Sequence, residues 1–287
     1  ALSPAERAMG KVLMCCASPL SDIEIEYEPQ AALTRAPVRE FIGVVDSMER
    51  LSHDVMGVVV KLPEGEHISF SAGQYINIIL EDGERRAFSF ASAPHNAQNI
   101  ELQIRLVPGG RFTSHVFEKM KVGDAIRFEG PLGDFVLRES NRPIVFVAGA
   151  TGFAPVKSMV EDAFHRGLHR PIHLYWGVRR PEDLYLVGLP EQWAREHANF
   201  KFVPVLSEPR PEDNWSGRTG LVHEAILQDF PSLAGNEIYA CGSVRMVEAV
   251  FPKLKGQGAE EGMCFSDAFT ISARSMAIQV PAEEPKG

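Results

Sequence analysis

The hydrophobic pattern of this chain changes character once, at Asn141-Arg142-Pro143, and that change limits the folds open to it. Upstream lie short β-prone runs: Phe41 to Val45, Val55 to Leu62, Tyr75 to Leu80, Ala87 to Ala91, Ile100 to Val107 and Ala125 to Glu129. Turn formers such as Pro63-Glu64-Gly65, Glu81-Asp82-Gly83 and Pro108-Gly109-Gly110 separate them. Six such runs with one helical interruption, Arg111 to Lys119, predict a small closed antiparallel β-barrel. Downstream, apolar strands (Ile144 to Ala148, Ile172 to Trp176, Phe200 to Leu206, Glu237 to Cys241) alternate with helices (Pro155 to His165, Pro190 to Glu196, Leu221 to Gln228, Val244 to Lys255). That alternation predicts a parallel sheet wrapped by helices, with its ligand at the carboxyl ends of the strands. At 287 residues the chain is long enough for both units.

Composition removes several classes of partner. Hydrophobic residues at 45% and charged residues at 23% are ordinary for a globular protein. A formal charge of −9, with no basic stripe to neutralise phosphates, excludes nucleic acid as an expected partner. The longest uncharged apolar stretch, Pro143 to Val156, is too short to span a bilayer, so no membrane association is expected. Val12 to Ala17 is likewise too short for a signal peptide and no cleavage site follows it. Four cysteines, two of them adjacent, fit a reducing cytoplasm better than a disulfide framework.

Two short strings carry candidate chemistry. Arg86-Ala87-Phe88-Ser89 sets a guanidinium, an aromatic ring and a hydroxyl on one extended segment, which suits a phosphorylated planar cofactor. Gly149-Ala150-Thr151-Gly152-Phe153-Ala154-Pro155 is a glycine turn between a strand and a helix, able to offer N–H groups to a pyrophosphate. Taken singly, the first also reads as the solvent face of a strand and the second as a purely structural turn. Together with Tyr239-Ala240-Cys241-Gly242 they resemble the ferredoxin–NADP reductase superfamily over about residues 38–270.

The resemblance implies an antiparallel β-barrel flavin domain (38–138), an α/β parallel-sheet nicotinamide-binding domain (139–272) and a tail (273–287). It gives Arg86 to a flavin phosphate, Phe88 to the isoalloxazine face in place of the usual tyrosine, and Ser89 to the flavin N5. Arg105 and Val107 would line the pyrimidine edge, and Gly109, Gly110, Thr113 and Ser114 would open a helix that takes the second phosphate. Gly149, Thr151, Gly152 and Pro155 would receive the nicotinamide dinucleotide. Cys241, followed by Gly242 and Met246, would pack beside nicotinamide C4, while Ser243 replaces the family's proline and weakens the helix-start signal. A nucleophilic role for Cys241 lacks a histidine at any recognisable spacing. Phe265 to Thr270 is similar to the C-terminal segment of oxygenase reductases, which places Phe269 against the flavin; the alternative is a core phenylalanine. Where NADPH-using relatives carry a serine and an arginine for the 2′-phosphate, this chain has Ser207 and Glu208. A carboxylate there repels phosphate and suits a ribose hydroxyl, so NADH is expected, with Arg179-Arg180 as the counter-indication.

Further upstream, Gly10 to Asp22 and Ile23-Glu24-Ile25-Glu26 resemble the end of a plant-type [2Fe–2S] ferredoxin. Residues 1–27 then read as a remnant of that domain and 28–37 as a linker. Cys15 matches the fourth cluster ligand, and the C-x₄-C-x₂-C loop that supplies the others is expected only in a longer parent. Alternatively, Cys15 and Cys16 are buried apolar residues.

The implied activity is an NADH-dependent flavoprotein reductase. FAD is favoured over FMN because relatives with an N-terminal ferredoxin mostly use it. Electrons would pass through FAD, and in a longer parent through the cluster, to a redox partner protein: an oxygenase, or the dehydratase of deoxysugar synthesis. Two rivals are a reductase that releases reduced flavin and a non-catalytic FAD-binding electron-transfer subunit. The intact phosphate set speaks against the first, and the Gly149–Pro155 turn with Cys241 against the second.

Overall fold

The computed structural model describes residues 36–270. Period-two burial builds the first sheet. In β1 (Arg39–Arg50) Phe41 and Val45 point inward while Glu40, Ile42 and Val44 face out. The remaining strands are β2 (Val55–Lys61), β3 (Tyr75–Ile79), β4 (Arg85–Ser89), β5 (Asn99–Arg105) and β6 (Ala125–Leu132). They pair antiparallel in the order β4-β3-β6-β1-β2-β5. Beyond β4 the chain meets β5, where the Ala91 N–H donates to the Glu101 carbonyl at 2.8 Å, and the two sheet edges join there. Val58, Val60, Ile76, Ile100, Leu102 and Phe128 fill the interior with no exposure. Helix α1 (Arg111–Glu118) interrupts the strands where the sequence places it, between β5 and β6.

The second sheet is parallel throughout. Its strands are β7 (Ile144–Gly149), β8 (Ile172–Val178), β9 (Phe200–Leu206), β10 (Arg218–Thr219), β11 (Glu237–Ser243) and β12 (Cys264–Phe269), in the order β10-β9-β8-β7-β11-β12. Helices α2 (Phe153–His165), α3 (Gly188–Glu196), α4 (Val222–Asp229) and α5 (Val244–Gly256) complete the unit. Ile144 through Ala148 are fully buried, as a central strand covered on both faces requires. The order reverses at β7: β8 to β10 extend on one side, β11 and β12 on the other. A crevice therefore opens at the carboxyl ends of β7 and β11.

Strands β10 and β12 are not foreseen by the pattern. The first has two residues, and the second is an edge strand of half-buried and exposed residues with no apolar run to mark it. Helix α2 begins two residues before Pro155, which sits at its third position, where the N–H has no intrahelical partner to lose.

Helix α2 also joins the sheets. Lys157, 7% exposed, bonds the Ala91 carbonyl (3.1 Å), Glu101 (2.8 Å) and Glu161 (3.0 Å). The Ser158 hydroxyl donates to the Ser92 carbonyl at 2.7 Å. Burial pulls the Lys157 pKa down, but the two carboxylates outweigh it and the net shift is upward, so the ammonium stays charged. Exchanging Lys157 for Met would strand two carboxylates in the seam. We expect Lys157→Met to lose about 3 kcal/mol, the lower end for breaking a buried pair, read as a drop in the urea midpoint. An unchanged midpoint would show that the seam does not depend on this ion pair.

Candidate functional site

A cleft of about 940 Å³ lies between the barrel and the carboxyl ends of the parallel strands. On the barrel side, alternation along β4 turns Arg86 and Phe88 to one face, and both line the cleft together with Ser89. The Phe88 ring rests on Phe112 of α1, centroids 5.3 Å apart. Ser89 is 7% exposed. Arg86 Nη2 lies 2.5 Å from Glu84, and Nη1 donates to the Arg85 carbonyl at 2.8 Å.

The loop into α1 is folded by Thr113. Its hydroxyl accepts from the Val107 N–H (3.1 Å) and lies 3.3 Å from the Val107 and Gly110 carbonyls. A Cβ on Gly110 would stand 2.5 Å from that hydroxyl oxygen, so only glycine lets the loop close around it. No side chain caps the start of α1, and its first-turn N–H groups are left to a ligand or solvent. Arg105, Val107, Gly110 and Thr113 line the cleft; Gly109 and Ser114 do not.

On the opposite wall stand Gly149, Thr151, Ser207, Met246 and Phe269. Gly152 lies behind this surface: a Cβ there would come within 2.1 Å of the Cys241 carbonyl oxygen, so the ends of β7 and β11 touch backbone to backbone. Cys241 is consequently wholly buried, and Gly242, Pro155 and Cys241 are set back from the cleft surface. Burial, then the Asp267 carboxylate, pushes the Cys241 thiol well above its ordinary pKa, which suits packing and not nucleophilic attack. Ser243, which the sequence suggests is a weak helix start, proves to cap α5: its hydroxyl accepts from the Met246 N–H at 3.3 Å. At the end of β9, Ser207 lines the cleft, whereas Glu208 is exposed outside the lining, its N–H bonded to the Arg179 carbonyl at 2.9 Å. Arg179 lines the cleft with its guanidinium 3.8 Å from Asp183. Cys15, the linker and the tail lie outside the described residues.

Several lining residues escape the sequence analysis, Tyr185, Arg111 and Asp267 among them. Tyr185, from the loop after β8, donates to Gln103 of β5 at 2.7 Å across the cleft floor. Arg111, the first residue of α1, reaches Asp82 of the β3–β4 turn. Asp267 stands in register with Cys241 and two residues before Phe269, a strand spacing that sets both on one face and was the available signal. Burial, reinforced by Asp134, raises the Asp267 pKa to about 6.

Residues 43–137 match the oxidoreductase FAD-binding domain family and residues 146–251 the oxidoreductase NAD-binding domain family. The chain is 40% identical over 271 residues to the CDP-6-deoxy-L-threo-D-glycero-4-hexulose-3-dehydrase reductase of Yersinia pestis, covering 94% of this chain and 81% of that protein. It is 37% identical over 279 residues to DmpP, the reductase component of phenol 2-monooxygenase from a Pseudomonas species, covering 95% and 78%. Among solved structures, the Amycolatopsis cytochrome P450 reductase GcoB superposes with a TM-score of 0.81 at 34% identity, covering 94% of this chain and 81% of that one. The chain belongs to the ferredoxin–NADP reductase-like family of FAD- and NAD-binding oxidoreductases. Its residues fit a flavin dinucleotide: the uncapped α1 start and Arg86 suit phosphate, and the Ser89 hydroxyl next to Phe88 on the cleft wall suits a polar ring edge.

Asp267 has a pH signature. An acid whose pKa is raised on folding holds its proton where the unfolded chain has lost it, so stability falls as pH rises from about 4 to about 6 and levels off above. Asp267→Asn carries no such loss. Its Tm relative to the parent protein should be higher by a few degrees at pH 7.5 than at pH 4, measured by differential scanning fluorimetry. A pH-independent gap would mean that this carboxyl titrates normally.

Proposed function

We propose that this cleft carries electrons from NADH, held against the parallel sheet, through FAD, held against the barrel, to a partner protein. The observation behind the reading is that one cleft joins a phosphate- and ring-binding wall to the crevice where the sheet order reverses. When bound, FAD takes two electrons from NADH and can release them singly, which a one-electron acceptor requires.

The chain's own residues bind and align. Arg86 and the α1 N-terminus hold phosphate, Phe88 supports the ring and the Ser89 hydroxyl meets its polar edge. Gly149 and Thr151 offer backbone to the nucleotide, with Gly152 and Gly242 shaping the turn behind them and Pro155 in the first turn of the helix. Cys241 supports that wall from beneath, and Met246 packs against Gly149. Phe269 and Asp267 cover the approach to the flavin. Ser207 and Glu208 flank the adenosine end.

The partner is a redox protein. The relatives above are named as reductases of a dehydrase or of an oxygenase, and we assign this chain's acceptor to those two classes. No helix among the described residues is long and apolar enough to cross a membrane.

Adding NADH without oxygen to the FAD-loaded protein should bleach the flavin absorbance. Failure to bleach would leave only the electron-transfer-subunit reading. Arg86→Ala should weaken FAD binding at least tenfold, since a charge-assisted hydrogen bond contributes about 1.5–3 kcal/mol; fluorescence titration measures it. We further expect kcat/KM to favour NADH, and Glu208→Arg to move the ratio towards NADPH. Because Glu208 stands outside the lining and Arg179 within it, a ratio unmoved by Glu208→Arg would shift discrimination to Arg179.

A further inference from the structure

The β3–β4 hairpin carries three carboxylates in four residues, Glu81, Asp82 and Glu84 around Gly83. The turn is tight. Gly83 donates to the Leu80 carbonyl, the Leu80 N–H donates to the Glu84 carbonyl, each at 2.9 Å, and the Glu84 N–H donates to Asp82 at 3.1 Å. This geometry brings Asp82 and Glu84 against arginines that line the cleft. Glu84 Oε2 lies 2.5 Å from Arg86 Nη2 and 3.5 Å from Arg111 Nη1, and Arg111 also meets Asp82. Arg86 and Arg111, both of which line the cleft, thus share one carboxylate.

A phosphate gripped by both prongs of a guanidinium needs Nη2, whether the fork is Nη1/Nη2 or Nε/Nη2. Glu84 takes one of the two N–H groups of Arg86 Nη2 and sets a carboxylate charge against the face that a phosphate would approach. We propose that Glu84 competes with the flavin phosphate for Arg86, and so lowers the affinity of this chain for phosphorylated flavins. The inference rests on the reading that the barrel wall holds FAD. The opposite role is also physical: Glu84 could hold Arg86 in the pose that phosphate needs. The two roles differ in the sign of one measurement.

Glu84 is 46% exposed at its side chain, so Glu84→Gln keeps shape and hydrogen-bonding reach while removing the charge. FAD, FMN and riboflavin are titrated into the flavin-stripped parent protein and the variant, with binding read by fluorescence quenching. Competition predicts that FAD and FMN bind the variant about fivefold tighter, the scale of an exposed ion pair. Riboflavin, which lacks the phosphate, should bind both proteins alike. Weaker FAD binding in Glu84→Gln overturns the proposal in favour of a supporting role, and unchanged binding overturns it by showing that Glu84 does not act on the phosphate at all. An equal gain for riboflavin overturns it too, because the effect would not then be on phosphate. If the parent protein binds none of the three, the functional reading itself fails, a result distinct from either.

Discussion

The bond on which the rest of this structure turns is the one between the Lys157 ammonium and the barrel. Helix α2 is fixed to the parallel sheet from within, where Phe153 stacks on Trp176 with centroids 4.0 Å apart and both rings wholly buried. Its outer face then has to meet the barrel, and what it meets is polar: the Ala91 and Ser92 carbonyls and the Glu101 carboxylate. Leaving those acceptors buried and unpaired would cost more than the apolar contact around them returns. Lys157 and Ser158 satisfy them, and in doing so fix the chain two residues past Ser89. That placement holds Ser89 opposite the Gly149–Thr151 turn. Registering the two walls of the cleft is thus a consequence of hydrogen-bond satisfaction in the seam.

A second constraint acts on the opposite wall. Gly149, Gly152 and Gly242 let the ends of β7 and β11 close to backbone contact, and the Ala150 residue between them adopts a left-handed φ of 47°. Its carbonyl is held by the Trp176 indole N–H at 3.0 Å. A residue other than glycine rarely occupies that region without such support. The strain is localised in the turn that lines the cleft. Cys241 lies under this turn as a neutral thiol, filling space that a larger side chain would force open.

Period was enough to find both sheets, because each wall obeys it locally. Alternation located the six barrel strands and put Arg86 and Phe88 on one face; a buried run followed by glycines located the end of β7. What stayed hidden depends on distant partners. Tyr185 is tied to Gln103, 82 positions away in sequence, and Lys157 to Glu101, 56 away. A tyrosine in a loop and a lysine in an apolar helix carry no local mark of such partners. Ser243 shows the converse error. Set against a family proline it looked like a loss, yet serine is itself a strong capping residue and supplies the bond directly. Asp267 was within reach, two positions from Phe269, but its raised pKa arises from burial at the sheet edge, which no spacing displays.

The charge arrangement of the cleft bears on how it takes up phosphorylated cofactors. Every arginine lining it faces a carboxylate: Arg85 faces Glu129, Arg86 Glu84, Arg105 Asp54, Arg111 Asp82 and Arg179 Asp183. In a chain of formal charge −9, these pairs leave the site with little net field to draw anions from a distance. On the function proposed above, selectivity would arise at contact, from N–H groups at the start of α1, from glycine backbone at β7, and from guanidiniums that exchange one anionic partner for another. An exchange of this kind gains little when the incoming group is a poor geometric match, because the departing carboxylate was already a good partner. On that reading the cleft would discriminate by shape and by which forks a phosphate can complete, and the paired acids would sharpen that test by removing the affinity that bare positive charge gives to any anion.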